Sequence, residues 1–190
     1  MLNQKIVLGS ASPRRKYLLE EMGFQLEIIS LDIDESYPLD IPKDEVALYI
    51  AQQKMYALSE KMTGNNLMLT ADTTVICDND LLGKPDDEAH AKKMLKQLSE
   101  NVHIVNTGVV ISFNGKKENI SCLTEVAFRS LSDEQINYYL KTCKPFDKAG
   151  SYGIQDWIGL VGIKQIKGSY TNVVGLPTDE VYRTIHKILS

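Results

Sequence analysis

The sequence predicts an α/β fold in which helices flank a mixed β-sheet. Short β-branched and apolar runs alternate along the chain with segments whose apolar residues recur at helical spacing, the order typical of α/β proteins. Two such runs flank Asn114-Gly115, a strong hairpin signal that makes the sheet mixed rather than purely parallel. No repeat, linker or low-complexity tract interrupts the 190 residues. We therefore expect a single domain over residues 1–190, as one body or as two lobes around a cleft.

The N-terminal half of the chain has clear element boundaries. Ser12 and Pro13 fit the cap and the first position of a helix, and Gly23 is placed to end that helix. The acidic segment 31–38 predicts a surface loop. The predicted strands of this half are 5–8, 25–30 and 67–76, the predicted helices are 13–22, 43–62 and 86–99, and the predicted turns are 65–66 and 78–80.

The C-terminal half begins with the two arms of the predicted hairpin. Ser132 and Gln135 then have the spacing of a capping box, which predicts a helix start. The segment 144–155 contains glycines and charged residues and predicts a loop. The predicted strands of this half are 102–113, 117–128 and 160–166, and the predicted helices are 132–141 and 178–189.

The composition argues against several classes of function. The formal net charge is −4, whereas a general nucleic-acid-binding protein needs a basic face. Cys77, Cys122 and Cys143 are widely spaced and odd in number, which fits free thiols in a reducing compartment better than a zinc site or disulfides. The sequence shows neither a signal-peptide pattern nor an apolar run that could cross a bilayer. We expect a cytoplasmic protein that acts on neither a nucleic-acid polymer nor a membrane.

The segment 9–15, which reads Gly-Ser-Ala-Ser-Pro-Arg-Arg, predicts a phosphate-binding site. Its glycine and the small hydroxyl residues Ser10 and Ser12 allow a tight turn and a close approach of the backbone to a ligand. The helix start that follows offers unpaired N–H donors, and Arg14 and Arg15 add guanidinium forks that match phosphate oxygens. The spacing fits neither a Walker loop nor a dinucleotide fingerprint. An ordinary helix cap followed by solvated arginines is the alternative.

Four further charged residues are candidates for the chemistry. Asp72 lies within a β-prone run that should be buried, where a carboxylate needs a cation, a metal or backbone N–H partners. Lys54 falls on an otherwise apolar helix stripe, and Lys84 is fixed between a glycine and a proline, although both also fit ordinary surface lysines. Glu35 lies in the acidic loop, where a solvated charge is the simpler interpretation.

Six short motifs occur in a defined order along the chain. They are Ser10-x-Ser-Pro-Arg-Arg15, Ala71-Asp-Thr73, Gly83-Lys-Pro85, Asp147-Lys-Ala-Gly150, Tyr152-Gly-Ile-Gln155 and Val174-Gly-Leu-Pro177. Each is weakly specific alone, but the ordered set is highly specific, and it resembles the motifs of the Maf family of nucleoside triphosphate pyrophosphatases. The resemblance implies an elongated mixed sheet with a nucleotide-binding cleft and a requirement for Mg²⁺ or Mn²⁺. It also implies hydrolysis of a nucleoside triphosphate to the monophosphate and pyrophosphate.

The same resemblance implies roles for individual residues. Asp72 matches the proton acceptor of the family, either as a direct base for water or as a ligand of the metal that activates it. Glu35 is the second carboxylate of the catalytic and metal-binding set, with the neighbouring Asp34 as the alternative. The phosphate-binding residues are then Ser10, Ser12, Arg14 and Arg15, and the catalytic residues are Asp72, Glu35, Lys54 and Lys84.

The implied substrate is a pyrimidine nucleotide. Arg14, Thr73 and Gln155 match the positions at which the dTTP/UTP pyrophosphatase subgroup selects its base. The Gln155 carboxamide offers a donor and an acceptor that complement the O4 acceptor and N3–H donor of thymine and uracil. The chain departs from the family pattern at Asp156-Trp157, where a small residue usually follows the glutamine. This pair either reshapes the rim of the base pocket or packs on the surface.

The sequence thus predicts cleavage of dTTP and UTP as a house-cleaning step of nucleotide metabolism. Two alternatives are a nucleotide-binding regulator of septum formation with little turnover and a pyrophosphatase for modified pyrimidine nucleotides. A homodimer is implied by the family alone. His90, His103 and His186 lack metal-ligand spacing and are interpreted as structural or solvated.

Overall fold

The computed structural model describes residues 4–62 and 64–190. By their internal contacts these residues form two compact units. The first unit takes its described residues from Met1–Asp72, Thr107–Cys122 and Gly175–Ser190, and the second from Thr73–Asn106 and Leu123–Val174. In the described part of the chain, no helix combines the length and the apolar character needed to cross a membrane.

Within the described residues, seven strands form one mixed sheet. They are β1 (Ile6–Leu8), β2 (Leu26–Ile28), β3 (Leu67–Cys77), β4 (Asp80–Leu82), β5 (Val102–Phe113), β6 (Lys116–Phe128) and β7 (Ile163–Lys167). Their order is β2-β1-β3-β5-β6-β7, with β4 paired to β3. β1 is parallel to β2 and β3, whereas the β3–β4 and β6–β7 pairs are antiparallel. The predicted mixed α/β sheet is therefore confirmed.

Helices connect and flank these strands. In residues 4–62 and 64–190 they are α1 (Pro13–Glu21), α2 (Val46–Lys61), α3 (Glu88–Leu98), α4 (Asp133–Cys143), α5 (Trp157–Gly162), α6 (Tyr170–Val174) and α7 (Thr178–Leu189), with a 3₁₀ turn at Ala149–Ser151. The two helix starts that were predicted from capping residues are confirmed, whereas α2 and α3 begin three and two residues later than the predicted 43 and 86. Ser12 caps α1, and Ser132 and Gln135 form a complete capping box at α4, so local side-chain chemistry fixes where each helix begins.

The first unit has its main core between its strands and the helices α1 and α7. Leu8, Leu69 and Ile111 from three strands pack with Leu19 of α1 and Ile185 of α7, and all five have no exposed surface. Full burial of one such side chain contributes about 1.5–3 kcal/mol. This core therefore anchors β1, which leads to Ser10, and β3, which carries Asp72.

Helix α2 approaches β5 closely at Gly108. A Cβ atom added to Gly108 would lie 2.3 Å from the Cα and the N of Leu48, so only glycine permits this packing. Met55 and Val110 are buried in the same contact. This close approach sets the distance between α2 and the sheet. It therefore also sets the position of Lys54, the residue that precedes Met55.

The second unit is built around two packed helices. α3 contacts α4 and the 3₁₀ turn, and the side chains that face these contacts are buried. Leu95 and Leu98 of α3 and Ile136 and Leu140 of α4 are at most 2% exposed. The amphipathic pattern of each helix accounts for this packing.

The predicted hairpin is confirmed in detail. β5 ends at Phe113 and β6 begins at Lys116, so the loop is the two residues Asn114 and Gly115. Their φ angles are 51° and 77°. Two successive positive φ angles are required by the type I′ turn, which is why this dipeptide was informative.

The segment predicted as strand 160–166 begins later than expected. Residues from Trp157 to Gly162 form α5, and β7 starts at Ile163. A Cβ atom added to Gly159 would lie 1.8 Å from the carbonyl oxygen of Ile154. The packing of α5 onto the preceding turn therefore overrides the β-prone composition of Leu160 and its neighbours.

Two other short elements were not predicted. Asp78 and Asn79 form the expected turn with φ angles of 50° and 64°, but the chain then pairs back onto β3 as β4. Helix α6 is only five residues long. Three- and five-residue elements are too short to carry a recognisable hydrophobic period.

Candidate active site

The start of α1 is a tightly folded loop held by two serine hydroxyls. The Ser12 Oγ accepts a hydrogen bond from the backbone N–H of Arg15 at 3.4 Å, and Pro13 occupies the first helical position. The Ser10 Oγ accepts from the backbone N–H of Ser12 at 3.3 Å. The Ser12 hydroxyl thus serves as the helix cap, and its predicted phosphate contact stays a prediction.

Arg15 is buried at the base of this loop. Its Nε donates to the carbonyl oxygen of Gly175 at 3.0 Å, and its Nη1 donates to the Ser10 Oγ at 3.1 Å. Burial lowers the pKa of the guanidinium, and the negative charge of Asp72 and, more weakly, of Glu35 opposes that effect. An arginine remains charged in such a site, so Arg15 provides a fixed positive charge facing two carboxylates.

Lys54 lies between those same two carboxylates. Its Nζ is 2.7 Å from the Oδ1 of Asp72 and 2.7 Å from the Oε1 of Glu35. The Lys54 and Asp72 side chains are 11% and 15% exposed, whereas Glu35 is 45% exposed. Lys54, the cation on the apolar stripe of α2, is therefore the ion-pair partner of Asp72, which lies on β3.

The structure separates Glu35 from its neighbour Asp34. The two carboxylate oxygens of Asp34 accept from the backbone N–H and the hydroxyl of Ser36, both at 2.9 Å. These hydrogen bonds lower the pKa of Asp34, as expected for a local turn motif. Of the two acidic candidates, Glu35 is the one in contact with Lys54.

The first unit thus brings together five predicted site residues, namely Ser10, Arg15, Glu35, Lys54 and Asp72. Two cations and a hydroxyl can bind an anion, and the Asp72 carboxylate can accept a proton. A carboxylate within hydrogen-bond reach of a water molecule can act as a general base toward it. Arg14 lies beside this group on α1 and is half-buried.

Lys84 is exposed and lies in the loop between β4 and α3, in the second unit. The carbonyl oxygen of Gly83 accepts a hydrogen bond from the backbone N–H of Gly150 at 3.0 Å. Gly150 has a φ of +66°, and a Cβ there would approach Val75 to 3.2 Å, so glycine is needed at this position. The two motifs Gly83-Lys-Pro85 and Asp147-Lys-Ala-Gly150 are therefore joined backbone to backbone.

Gln155 is the third residue of a β-turn in the second unit. The backbone N–H of Asp156 donates to the carbonyl oxygen of Gly153 at 3.0 Å and closes the turn. Ile154 is buried, which anchors the turn, while Gln155 is exposed. Thr73, the other specificity candidate of this unit, lies half-buried on β3.

Two buried tyrosines hold the segment that leads into this turn. The Oη of Tyr152 shares a 2.7 Å hydrogen bond with the Nε2 of His103, and both rings pack on Phe128. The Oη of Tyr139 donates to the Oδ2 of Asp156 at 2.7 Å and accepts from the backbone N–H of Gly153 at 3.0 Å. Burial raises the pKa of both phenols, so both stay protonated.

A family model described as Maf-like protein matches residues 5–188. The chain belongs to the Maf family. The predicted family membership is therefore confirmed over nearly the whole chain.

Curated relatives match this Maf-like chain at similar length. A protein named dTTP/UTP pyrophosphatase from Phocaeicola vulgatus is 46% identical over 185 residues, which cover 97% of this chain and 96% of the relative. Proteins with the same name from Flavobacterium psychrophilum and Porphyromonas gingivalis are each 47% identical, over 180 and 184 residues, and each alignment covers 95% of this chain and 92% of the relative.

The carboxylates of the Maf-like site fit the divalent cation that the family implies. Glu35 and Asp72 contact the same ammonium at 2.7 Å each, so both carboxylates face one small volume. Mg²⁺ is commonly held by one or two carboxylates, with water and substrate phosphates completing its shell. Among the described residues no group of three or more His, Cys, Asp or Glu is arranged as a metal site. Glu35 and Asp72 would hold the ion, with water and substrate phosphates as its remaining ligands.

Sequence reasoning about this Maf-like chain did not single out Tyr139 or Asp156 as partners. Tyr139 follows Ile136 by three residues on the apolar stripe of α4 and is fully buried, so its pattern is that of a core residue. His103 was expected to be structural or solvated, and it is buried and bonded to Tyr152. The feature that could have indicated a polar contact of Tyr139 is its hydroxyl, because a buried phenol usually has a hydrogen-bond partner.

Proposed function

We propose that this Maf-like protein hydrolyses dTTP and UTP to the nucleoside monophosphate and pyrophosphate. The observation that carries the proposal is Lys54 held between Asp72 and Glu35 next to the buried Arg15. This arrangement combines a fixed positive charge for phosphate with a carboxylate that can accept a proton. The names of the curated relatives supply the substrate class.

Phosphate binding is assigned first to the residues at the start of α1. The Arg15 guanidinium is oriented by Gly175 and Ser10, so its position is set before a ligand arrives. A preorganised charge of this kind stabilises a developing negative charge without the cost of rearrangement. Ser12 and Arg14 keep the phosphate contacts, and Lys84 keeps the catalytic role, that the family resemblance implies.

Asp72 is assigned as the proton acceptor of the reaction. A water oxygen attacks the α phosphorus, its proton passes to the Asp72 carboxylate, and the bond from the α phosphorus to the bridging oxygen breaks. Pyrophosphate leaves with that electron pair. Lys54 holds the Asp72 carboxylate in place through an ion pair of 2.7 Å.

Glu35 and Asp72 would also hold the divalent cation. When bound, this ion supplies a Lewis acid for the phosphate oxygens and lowers the pKa of a coordinated water. The ion would have to lie on the solvent side of this pair, because Lys54 is buried and Glu35 faces solvent. Glu35 therefore has the freedom to turn from Lys54 toward an ion that enters from solvent.

Base selection is assigned to Gln155, with Thr73 and Arg14 as the further specificity residues. The carboxamide of Gln155 can donate to O4 and accept from N3–H of uracil or thymine. Cytosine reverses the donor and acceptor at these positions, which leaves polar groups unpaired and lowers its affinity. Selectivity by this means requires that the amide is held in one position.

The test is a product analysis with each nucleoside triphosphate in the presence of Mg²⁺ or Mn²⁺. We expect dTTP and UTP to give the monophosphate and pyrophosphate, and in ¹⁸O-labelled water the label should enter the monophosphate. Formation of diphosphate and orthophosphate would overturn the assignment. Label in pyrophosphate would place the attack on the β phosphorus and remove the role given to Asp72.

Variants make the same experiment specific to the site. Asp72→Asn should lose about two or more orders of magnitude in turnover, the usual scale for a general base, while Asp34→Asn should match the parent. Nucleotide binding without turnover in the parent would instead support a regulatory nucleotide-binding protein. Faster cleavage of a modified pyrimidine nucleotide than of dTTP would move the proposal to that substrate.

A further inference from the structure

The hydroxyl of Tyr139 bridges the two ends of the Gln155 turn. It accepts from the backbone N–H of Gly153, the first residue of the turn, at 3.0 Å. It donates to the carboxylate of Asp156, the last residue, at 2.7 Å. The turn also closes on itself through the bond from the Asp156 N–H to the Gly153 carbonyl. One phenol therefore ties both residues that flank Ile154 and Gln155 to helix α4.

The surroundings of this contact are tightly built. Tyr139 is fully buried, so its ring cannot shift without disturbing the core. A Cβ atom at Gly153 would lie 2.7 Å from the Oδ2 of Asp156 and 3.0 Å from the Cε of Lys148. The space that the Asp156 carboxylate occupies thus exists because residue 153 is a glycine.

The unusual pair Asp156-Trp157 contacts helix α4 through both of its side chains. Asp156 is the cap residue of α5 and binds Tyr139, while the Trp157 ring meets the edge of Tyr138 with centroids 4.8 Å apart. Two adjacent tyrosines of α4 therefore contact the two residues that follow Gln155. The pair packs beside the turn and fixes it.

We propose that the Tyr139 hydroxyl is a positioning group that holds the Gln155 turn and thereby sets the selectivity between thymine or uracil and cytosine. Its effect on selectivity rests on the function proposed above, whereas its effect on the turn does not. An amide that must present its donor and acceptor in one orientation needs a backbone that does not move. Tyr139 supplies that constraint through two hydrogen bonds, without touching the nucleotide.

The first measurement is hydrogen–deuterium exchange of the segment 153–156. In Tyr139→Phe the amides of this segment should exchange at least about tenfold faster than in the parent, because a local hydrogen-bonded unit has been loosened. Tyr138→Phe is the matched control, since it removes the neighbouring hydroxyl and keeps the ring that contacts Trp157. Equal exchange in the parent and Tyr139→Phe would overturn the proposal, whether or not the protein cleaves nucleotides.

The second measurement compares kcat/KM for dTTP and dCTP. In Tyr139→Phe the ratio should fall about tenfold, with KM for dTTP raised and kcat within about twofold of the parent, since groups that act on the phosphates are unchanged. Asp156→Ala should behave in the same way, and Asp156→Asn, which keeps an acceptor for the phenol, should restore most of the ratio. A purely structural role would lower the melting temperature and leave the ratio at its parent value, which would overturn the assignment of selectivity.

The two measurements also separate failure of this proposal from failure of the proposed function. A parent protein that cleaves no nucleoside triphosphate contradicts the function, and the exchange measurement then decides alone whether Tyr139 holds the turn. A parent that is active and selective, with a Tyr139→Phe variant equally selective, contradicts the positioning role alone. If Tyr139→Phe does not fold, Asp156→Ala tests the same proposal. The Asp156 side chain is 26% exposed, so its removal disturbs the core less.

Discussion

The ammonium of Lys54 and the carboxylate of Asp72 lie 2.7 Å apart, although 18 positions separate them in the sequence. α2 carries the cation and β3 carries the carboxylate, and the 11% and 15% exposure of these side chains places both largely inside the protein. Loss of either partner would leave a poorly solvated charge behind. The pair therefore links the chemistry of the site to the stability of the fold.

Lys54→Met should destabilise the protein by about 3 kcal/mol, the usual scale for removing one partner of a buried ion pair. Turnover should fall with it, because Asp72 and Glu35 would lose the ammonium that contacts both carboxylates. Urea denaturation and steady-state assays measure the two effects. Lys61→Met, at the exposed end of the same helix, is the control. The double variant with Asp72→Asn should regain stability without regaining turnover, and recovery of both would contradict the role of the pair.

Arg15→Lys should raise KM for the nucleotide about tenfold, because a lysine keeps the charge but loses the planar fork. The single ammonium cannot reproduce the geometry by which Arg15 bonds both Gly175 and Ser10. Initial-rate kinetics with dTTP checks this expectation. Arg183→Lys, which changes an exposed arginine paired with Asp179 on α7, should leave KM unchanged. A kcat effect with unchanged KM would place Arg15 outside phosphate binding.

His103 predicts a specific dependence of stability on pH. Burial lowers its pKa from 6.5 to about 4, so between these values the unfolded chain binds a proton that the folded protein does not. The free energy of unfolding is then independent of this group above pH 6.5 and decreases as the pH falls toward 4, by about 3 kcal/mol at 1.4 kcal/mol per pH unit. Denaturation of the parent and His103→Gln from pH 4 to 8 measures it. Parallel curves for the two proteins would contradict the assignment.

Gly108→Ala should lower the free energy of unfolding by about 1–3 kcal/mol, the range found when a packed core is overfilled. The added methyl group would meet the backbone of Leu48 at 2.3 Å, and flexible side chains cannot relieve a backbone contact. Turnover should fall as well, because displacement of α2 moves Lys54. Gly83→Ala, where an added Cβ meets no atom within 4 Å, is the control. Equal stability of the two variants would show that α2 can move away without cost.

Removal of divalent cations should abolish turnover, and added Mg²⁺ should restore it. Glu35→Gln should need about tenfold more Mg²⁺ for half-maximal rate, since one charged ligand of the proposed pair becomes neutral. Titration of activity with Mg²⁺ after treatment with a chelator gives this value. Asp34→Asn should titrate like the parent, because Asp34 is bonded within its own turn. The same Mg²⁺ requirement in all three proteins would exclude Glu35 as a ligand.

Much of the local structure could be predicted from the sequence because it is determined locally. Asn114-Gly115 requires positive φ angles, Ser12 and Ser132 cap the helices that follow them, and both features were found as expected. The start of β7 was predicted too early because the contact of Gly159 with the Ile154 carbonyl has no counterpart in the residue pattern. Tertiary packing decides such cases against local propensity.

The candidate site was predictable in its members but not in its connections. The residue pattern and the family resemblance singled out Asp72, Lys54 and Glu35, yet nothing in the spacing of these residues shows that one ammonium contacts both carboxylates. Arg15 was expected to bind phosphate, and its bond to Gly175 spans 160 positions. Contacts over such separations depend on how the strands and helices pack, which a single sequence does not display.

The hydrogen bond between the Gly150 N–H and the Gly83 carbonyl uses no side chain. Alanine-scanning mutagenesis of the loop side chains, that of Lys84 included, would therefore not detect this link, because it persists when a side chain is removed. An amide-to-ester replacement at residue 150, which removes the donor and keeps the chain otherwise intact, would expose its contribution. A side-chain substitution that these loops tolerate would therefore say nothing about this main-chain link, which it leaves in place.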